Sequence, residues 1–596
     1  MAAPRVLRAA VSAPTAQIAL TPRISTFAYG QVELLVGPMR EQFERNHAFF
    51  MKLDEDRLLK PFRLAAGQAA PGDDMGGWYD QDPAFNAKGS FHGYIPGHSF
   101  GQYLSGLARA YAVTGDRATQ QKVERLVRGF APTITPKFYA GYHLPAYTYD
   151  KSSIGLIDAA RFAGVTNAMS VHLAATEAVL PSLPEKALSR KEMYARPHKD
   201  EAYCWDESYT LPENFLLAYR LTGDQRYRDL GMRFMEDDSY FGPLSKGENV
   251  LPGEHAYSHL NALCSAMQGY LVFGTEQHFK AARNGFDFVA AQSFATGGWG
   301  PDETFRAPGS GEVGESVTKT HASFETPCGA YGHFKICRYL LGVTGDSRYG
   351  DSMERILYNT ILGVKPIKED GSSFYYADYH MDAHKGYHTD KWPCCSGTFP
   401  QITADYGISS YFFDADGAYV NLYVPSRLRW QQGGAQVALT QRTTYPHVAQ
   451  TEFELELDRA TEFALRLRIP AWAGAGTRVS INGRKADVEL KPGSFATIKR
   501  TWRNGDRVEL EFAIPLTAEA VDREHPDRVA LQHGSLSLFA VSPHGGTMRR
   551  SDLLAARQLG AASESWEVAT STGKQIFKDF AAIGDEGYRL YQDVKA

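Results

Sequence analysis

The chain has 596 residues, more than one hydrophobic core usually supports, so two or three domains are expected. A formal net charge of −5 excludes the broad basic footprint of proteins that bind nucleic acid or anionic membrane surfaces. Six cysteines are too sparse for a disulfide scaffold, and no apolar run reaches the roughly eighteen residues a membrane span needs.

The Arg5–Pro22 stretch is Ala-rich, but Ser, Thr, Pro and Gln interrupt it before the apolar core of a signal peptide develops. The expected compartment is the cytoplasm, or the periplasm or exterior where a signal has been removed. Residues 1–30 read as an N-terminal segment.

The first firm helix signal runs from Val36 to Leu59, with Met39, Phe43, Phe50 and Leu53 near helical spacing. From there to about residue 410 a Thr-Gly-Asp mark recurs at Gly115-Asp116, Gly223-Asp224 and Gly345-Asp346, with a degenerate copy at Gly274-Thr275. Glycine supplies the left-handed residue that ends one helix, and the following Asp caps the next. Each copy therefore predicts a helix hairpin, and the series predicts a closed α/α toroid over residues 31–410.

Six longer loops fit six hairpins converging on one rim: Gly72–His98, Tyr139–Lys151, Tyr203–Glu213, Glu248–His259, Gly297–Cys328 and Phe374–Pro400. After Tyr411 the period changes to strict alternation, as in Phe463-x-Leu465-x-Leu467-x-Ile469, which predicts an antiparallel β-sandwich over residues 411–596. Asn482-Gly483 and Asn504-Gly505 read as tight hairpin turns within it.

The chemistry-bearing residues lie in the loops. Cys394 and Cys395 are adjacent, a poor arrangement for a mutual disulfide but a good one for two thiolates converging on a metal. Upstream, Glu325 and Cys328 sit three apart at a helix start, with Thr326 as the expected cap and Pro327 in the first turn. The four make a Cys3Glu set acceptable to tetrahedral Zn2+. Ala330, Phe334, Cys337 and Leu341 form the buried stripe of that helix, so Cys337 is core, and Cys204 and Cys264 read as structural.

The Gly-rich stretch Gly297-Gly298-Trp299-Gly300 leads to Glu303, with Glu312 and Glu315 in a second Gly-rich run. A glutamate held in a dry pocket can act as a general acid. His98, His143, His255 and His259 occupy the same class of loop, where hydrogen bonding to sugar hydroxyls suits them. A 12% aromatic content is compatible with sugar stacking or simply with extra core rings.

Several motifs together resemble family 127 of the glycoside hydrolases. They are Gly297-Gly298-x-Gly300…Glu303-x-Phe305, Glu325-Thr326-x-Cys328 and Cys394-Cys395, preceded by Asp54-x-Asp56-Arg57-Leu58-Leu59, Gly76-Gly77-Trp78 and Gly97-His98. The resemblance implies a retaining β-L-arabinofuranosidase-like exo-glycosidase with an (α/α)6 barrel and one zinc ion. It implies Cys394 as nucleophile, Glu303 as acid/base, and Glu325, Cys328, Cys394 and Cys395 as zinc ligands; spacing also leaves Glu315 as an alternative acid/base.

Trp78, His98, Asp150, Lys151, His255, His259 and Tyr376 are the candidate sugar-binding residues. The expected partner is a carbohydrate, with no nucleic acid or membrane, and a homodimer is allowed for. Two departures stand out: Glu325-Thr326-Pro327-Cys328 is one residue longer than the family's Glu-Thr-Cys, and Asp150 precedes Lys151 where the family carries a histidine. Competing readings are a polysaccharide lyase or another glycosidase with structural zinc, and a non-catalytic carbohydrate-binding protein.

Overall fold

A computed structural model describes residues 19–81, 91–195 and 206–595. Cys204 and parts of the loops at 72–98 and 203–213 lie outside the described residues.

The predicted first helix is two: α1 (Pro38–Lys52) and α2 (Glu55–Ala65). The break comes at Asp54, whose side chain accepts the Arg57 N–H and so caps a new helix. The barrel then continues through α3 (Phe100–Thr114), α4 (Arg117–Phe130), α5 (Pro145–Ala163), α6 (Ala168–Val179), α7 (Leu211–Thr222) and α8 (Gln225–Arg233). It is completed by α9 (Ala256–Phe273), α10 (Glu276–Ala290), α11 (Thr326–Thr344), α12 (Arg348–Asn359) and α13 (Cys394–Ala404).

The inner helices α3, α5, α7, α9, α11 and α13 each pack on the next, and α13 packs back on α3, closing the ring. The outer helices α4, α6, α8, α10 and α12 back their hairpin partners, and α1 backs α13. This is the (α/α)6 barrel. The sixth pair has no hairpin turn because it joins the two ends of the domain.

The turn chemistry is local. Gly115, Gly223, Gly274 and Gly345 are left-handed C-caps with φ near 70°. Each Thr hydroxyl of the Thr-Gly-Asp copies donates to the carbonyl four residues back and accepts the following Asp N–H. Asp116 and Asp224 then cap α4 and α8. The hairpin α5/α6 uses Gly164 in the same way without the Thr-Gly-Asp mark.

Two sheets form the sandwich, one of five and one of seven strands, and a separate eight-stranded sheet spans Leu516–Asp593. Ser25–Thr26 and Val32–Leu34 join the sandwich by pairing with Tyr411–Asp414 and Ser426–Gln432, so the chain's start is tied to its middle. One pair, Gly417–Val420 with Thr461–Ile469, is parallel. Asn482-Gly483 makes the expected hairpin turn. Asn504-Gly505 does not: the strands it joins belong to different sheets, and Asn504 Oδ1 instead accepts the Leu457 N–H. Among the described residues no helix is long and apolar enough to cross a membrane.

Candidate active site

The inner helices α11 and α13 aim their N-termini at one point. Cys328 lies in the first turn of α11 and Cys394 and Cys395 open α13, so both helix dipoles favour thiolates there. Glu325, not Thr326, occupies the cap position of α11, with φ of −67° and ψ of 89°. Thr326 instead donates to the Phe324 carbonyl and accepts the Ala377 N–H, tying Phe324–Glu325 to Tyr376–Ala377.

Cys394 Sγ and Cys395 Sγ lie 3.2 and 3.6 Å from Glu325 Oε1, and Cys395 Sγ lies 3.5 Å from Cys328 Sγ. A tetrahedral zinc ion requires ligand separations of about 3.5 Å for sulfur–oxygen and about 3.8 Å for sulfur–sulfur, from its usual bond lengths. The four buried donors, all within 4.8 Å of one another, could therefore hold one metal ion, and the extra Pro327 does not pull Cys328 away.

Burial pushes Glu325, Cys328 and Cys395 well above their ordinary ranges, the Cys394 charge adding to the rise at Glu325. Burial also opposes ionisation of Cys394. The thiols of Cys328 and Cys395, the Lys151 ammonium and the Tyr375 hydroxyl together outweigh it and hold this thiol well below the usual range. Among the four, Cys394 is the one poised to carry charge.

Glu303 closes the site from the Gly-rich loop. Tyr376 Oη donates to its Oε1 at 2.5 Å, and His255 Nε2 lies 3.3 Å from its Oε2. His255 Nδ1 is 2.9 Å from the buried carboxylate of Glu207. Burial disfavours the charged imidazole, but the hydrogen bonds to Glu207 and Glu303 reverse this and raise His255 well above its ordinary value.

Asp302 and Glu303 both have φ of 55°, and Trp392, two residues before Cys394, has φ of 52°. Strained backbone of this kind persists where surroundings enforce it, and it clusters at functional sites.

The other sequence candidates divide. Trp78 shares an apolar cluster with Cys328, Cys394 and Cys395, and its Nε1 donates to Asp390. His98 is buried between the rings of Trp78 and Tyr147, its Nδ1 on the Ile95 carbonyl and its buried Nε2 without a hydrogen-bond partner. Lys151 and Asp150 belong to the second turn of α5, not to a loop, because Pro145 starts the helix earlier. Lys151 Nζ meets the Tyr147 hydroxyl, while the Asp150 carboxylate accepts from Asn214 and Thr210 and, through burial, is pushed up to about 6.

His259 turns away, packing on Tyr209 and Tyr240 with Nε2 3.4 Å from Glu254. Glu315 is remote from the cluster: its half-exposed side chain pairs with Lys319, and its loop packs on Asp522 and His525. Glu207, Tyr375 and Tyr147 were not legible as site residues. Tyr375 adjoins Tyr376 and reaches Cys394 Sγ at 3.3 Å, and Glu207 lies inside a loop already marked by its composition.

A narrow polar cavity with about 30 Å³ of space open to water is lined by Tyr147, Asp150, Lys151, Glu207, Tyr257 and further residues including Gln102, Asn261 and Gln401. The carboxamide oxygens of those last three are buried without partners.

The description "Beta-L-arabinofuranosidase, GH127 catalytic domain" matches residues 31–408, and that of the GH127 middle domain matches residues 417–514. The chain belongs to glycoside hydrolase family 127. Its fold resembles that of a GH127 β-L-arabinofuranosidase from Geobacillus stearothermophilus T6, 17% identical with a TM-score of 0.70, the match covering 95% of this chain and all of that one. A GH127 β-arabinofuranosidase is 18% identical with a TM-score of 0.71, the match covering 96% of this chain and 98% of that one. No curated protein matches the chain.

Proposed function

We propose that the chain is a retaining exo-glycosidase that removes a terminal β-L-arabinofuranosyl or similar neutral sugar from a polysaccharide or glycoprotein side chain. Cys394 is the nucleophile, Glu303 the acid/base, and Glu325, Cys328, Cys394 and Cys395 hold one zinc ion. What carries the reading is geometric: the three thiols and the Glu303 carboxylate both converge on Glu325, with Cys394 Sγ 3.2 Å from its Oε1.

Zinc, when bound, would keep its thiol ligands deprotonated at neutral pH. Cys394 Sγ attacks the anomeric carbon while Glu303 donates its proton to the departing glycosidic oxygen. In the second half, Glu303 takes a proton from water, which displaces the cysteine sulfur from the same carbon, so two inversions give net retention.

Tyr376 and His255 hold the two oxygens of Glu303, which fixes the carboxyl for both transfers. The opening beside Glu303, lined by His255, Asp302, Thr304 and Tyr376, offers groups that hydrogen-bond sugar hydroxyls.

The test is hydrolysis of aryl β-L-arabinofuranosides. Cys394→Ser is expected to abolish turnover. Glu303→Gln is expected to lose about a hundredfold or more on a poor leaving group and much less on an activated one. The initial product should keep the anomeric configuration. Full turnover in Cys394→Ser, or inversion in the product, overturns the assignment.

A further inference from the structure

Glu303 takes part in a second constellation. The side chains of His255, Glu303 and Glu325 offer three ligand atoms within 4.8 Å of one another, and His255 and Glu303 line an opening to solvent while Glu325 is buried behind them. We infer that these three residues form a second divalent-cation site beside the cysteine site, which zinc in excess of one equivalent occupies, silencing the acid/base. The inference rests on the reading above, in which Glu325 already serves the Cys3Glu site.

Three observations support it. The first is spacing: His255 Nε2 and Glu303 Oε2 are 3.3 Å apart, and two ligand atoms each about 2.0 Å from a tetrahedral zinc ion stand about 3.3 Å apart. That contact is also a hydrogen bond to the charged imidazole, so an ion takes up the same edge length by displacing the His255 proton.

The second is the support behind the imidazole. A histidine that ligates a metal usually presents its other ring nitrogen to a carboxylate, which fixes the tautomer and aims the free nitrogen. His255 Nδ1 is held in this way by Glu207 Oε1 at 2.9 Å, and Glu207 is only 3% exposed. Tyr376 likewise holds the other oxygen of Glu303.

The third is charge. Three thiolates and one carboxylate around a divalent ion leave two net negative charges, and the carboxylates of Glu303 and Glu207 lie next to them. Glu325 meets Cys394 and Cys395 through Oε1, so its other oxygen can bridge outward. Carboxylate-bridged metal pairs sit about 3.5–4 Å apart. A second cation there adds to the counter-charge that Lys151 and Arg190 bring to the site, and it takes from Glu303 the lone pair needed for proton transfer.

The experiment titrates zinc into the full-length protein carrying one tightly bound equivalent. Bound metal is read by elemental analysis and hydrolysis is followed in parallel. A second equivalent should bind, with turnover falling about a hundredfold over the same concentration range, the loss expected when a general acid is disabled. Cobalt gives a spectroscopic reading. Thiolate charge-transfer absorption should saturate at the first equivalent, and the second should add ligand-field bands only.

His255→Ala and Glu303→Gln should each keep the first equivalent and lose the second. Stoichiometry that stays at one as free zinc rises, or a second equivalent retained in both variants, overturns the inference. A wild type that holds no zinc removes the shared ligand and overturns the cysteine-site reading as well, so the two failures are told apart by the metal count alone.

Discussion

Gly101→Ala tests whether helix packing places the site. Gly101 on α3 faces α5, and a Cβ added there would stand 1.9 Å from the Lys151 carbonyl oxygen and 2.4 Å from Ser152 Cα. Real Cβ contacts do not fall below 3.0 Å, so the two backbones must part by about 1.1 Å, the difference between 3.0 and 1.9 Å. The clash is reciprocal, since a Cβ on Gly155 of α5 would stand 2.3 Å from the Gly101 carbonyl oxygen.

Both atoms struck are backbone, so no side-chain rotation relieves the contact. Overpacking of this kind costs about 1–3 kcal/mol. Displacing α5 also moves Asp150 and Lys151 relative to α13 and Cys394. A misplacement of about 1 Å at a reacting centre costs about a hundredfold in rate.

The assay pairs a urea denaturation curve with kcat and KM on an aryl glycoside. Gly141→Ala, where an added Cβ meets nothing within 4 Å, serves as the control. A Gly101→Ala protein with unchanged stability and unchanged kcat refutes the argument that this helix contact sets the position of Lys151.

Two further predictions concern stability. His172 is buried between Ser153 Oγ and the Tyr227 hydroxyl, and burial lowers it to about 3. It is neutral when folded and takes a proton when unfolded, so stability falls as pH drops from about 6.5 toward 3, by about 1.4 kcal/mol per unit for this one group. Urea denaturation at pH 7 and 5 should show a shallower pH dependence in His172→Asn, and an unchanged slope sinks the assignment. Glu354 on α12 is fully buried, pairing with Arg468 of the sandwich at 2.9 Å and accepting from Tyr445 and Trp472. Glu354→Ala leaves the buried guanidinium with Asp351 as its one carboxylate partner among the described residues and should destabilise by about 3–5 kcal/mol, and a loss below about 1 kcal/mol would show that water or Asp351 compensates.

What the sequence revealed was what local chemistry decides. A Thr-Gly-Asp mark works within a handful of residues, so Gly115, Gly223 and Gly345 could be placed from spacing alone. Cys394, Cys395, Glu325 and Cys328 were legible because each pair is held in a fixed relation by its own helix start.

The failures have non-local causes. His255 and His259 sit four apart, the spacing of one helix face, yet His255 is the cap residue of α9 with ψ of 119° and lies off the helical grid. The i, i+4 rule therefore does not bring the two rings together. Glu315 resembles Glu303 in composition, but Asp522 and His525, two hundred residues later, decide where its loop packs. Asn504-Gly505 has turn chemistry, and nothing local says which sheet receives the next strand.

The same non-local logic accounts for the β domains around a barrel that carries all the candidate chemistry. The segment from Tyr375 to Pro393 connects the Glu303 side of the site to the Cys394 side, and it has little regular structure of its own. Its middle is held by the C-terminal sheet: Ala383 bridges Tyr588, and Lys385 Nζ donates to the Phe580 and Ile583 carbonyls at 2.5 and 2.9 Å. Its end is held by Trp392, whose N–H donates to Gly371 and whose indole donates to the Met75 carbonyl. A residue with φ of 52° persists only where its surroundings over-determine it. The β domains therefore anchor the segment that delivers Tyr375, Tyr376 and Cys394 to one point, and loosening that anchor should reach Cys394 before it reaches the barrel's own core.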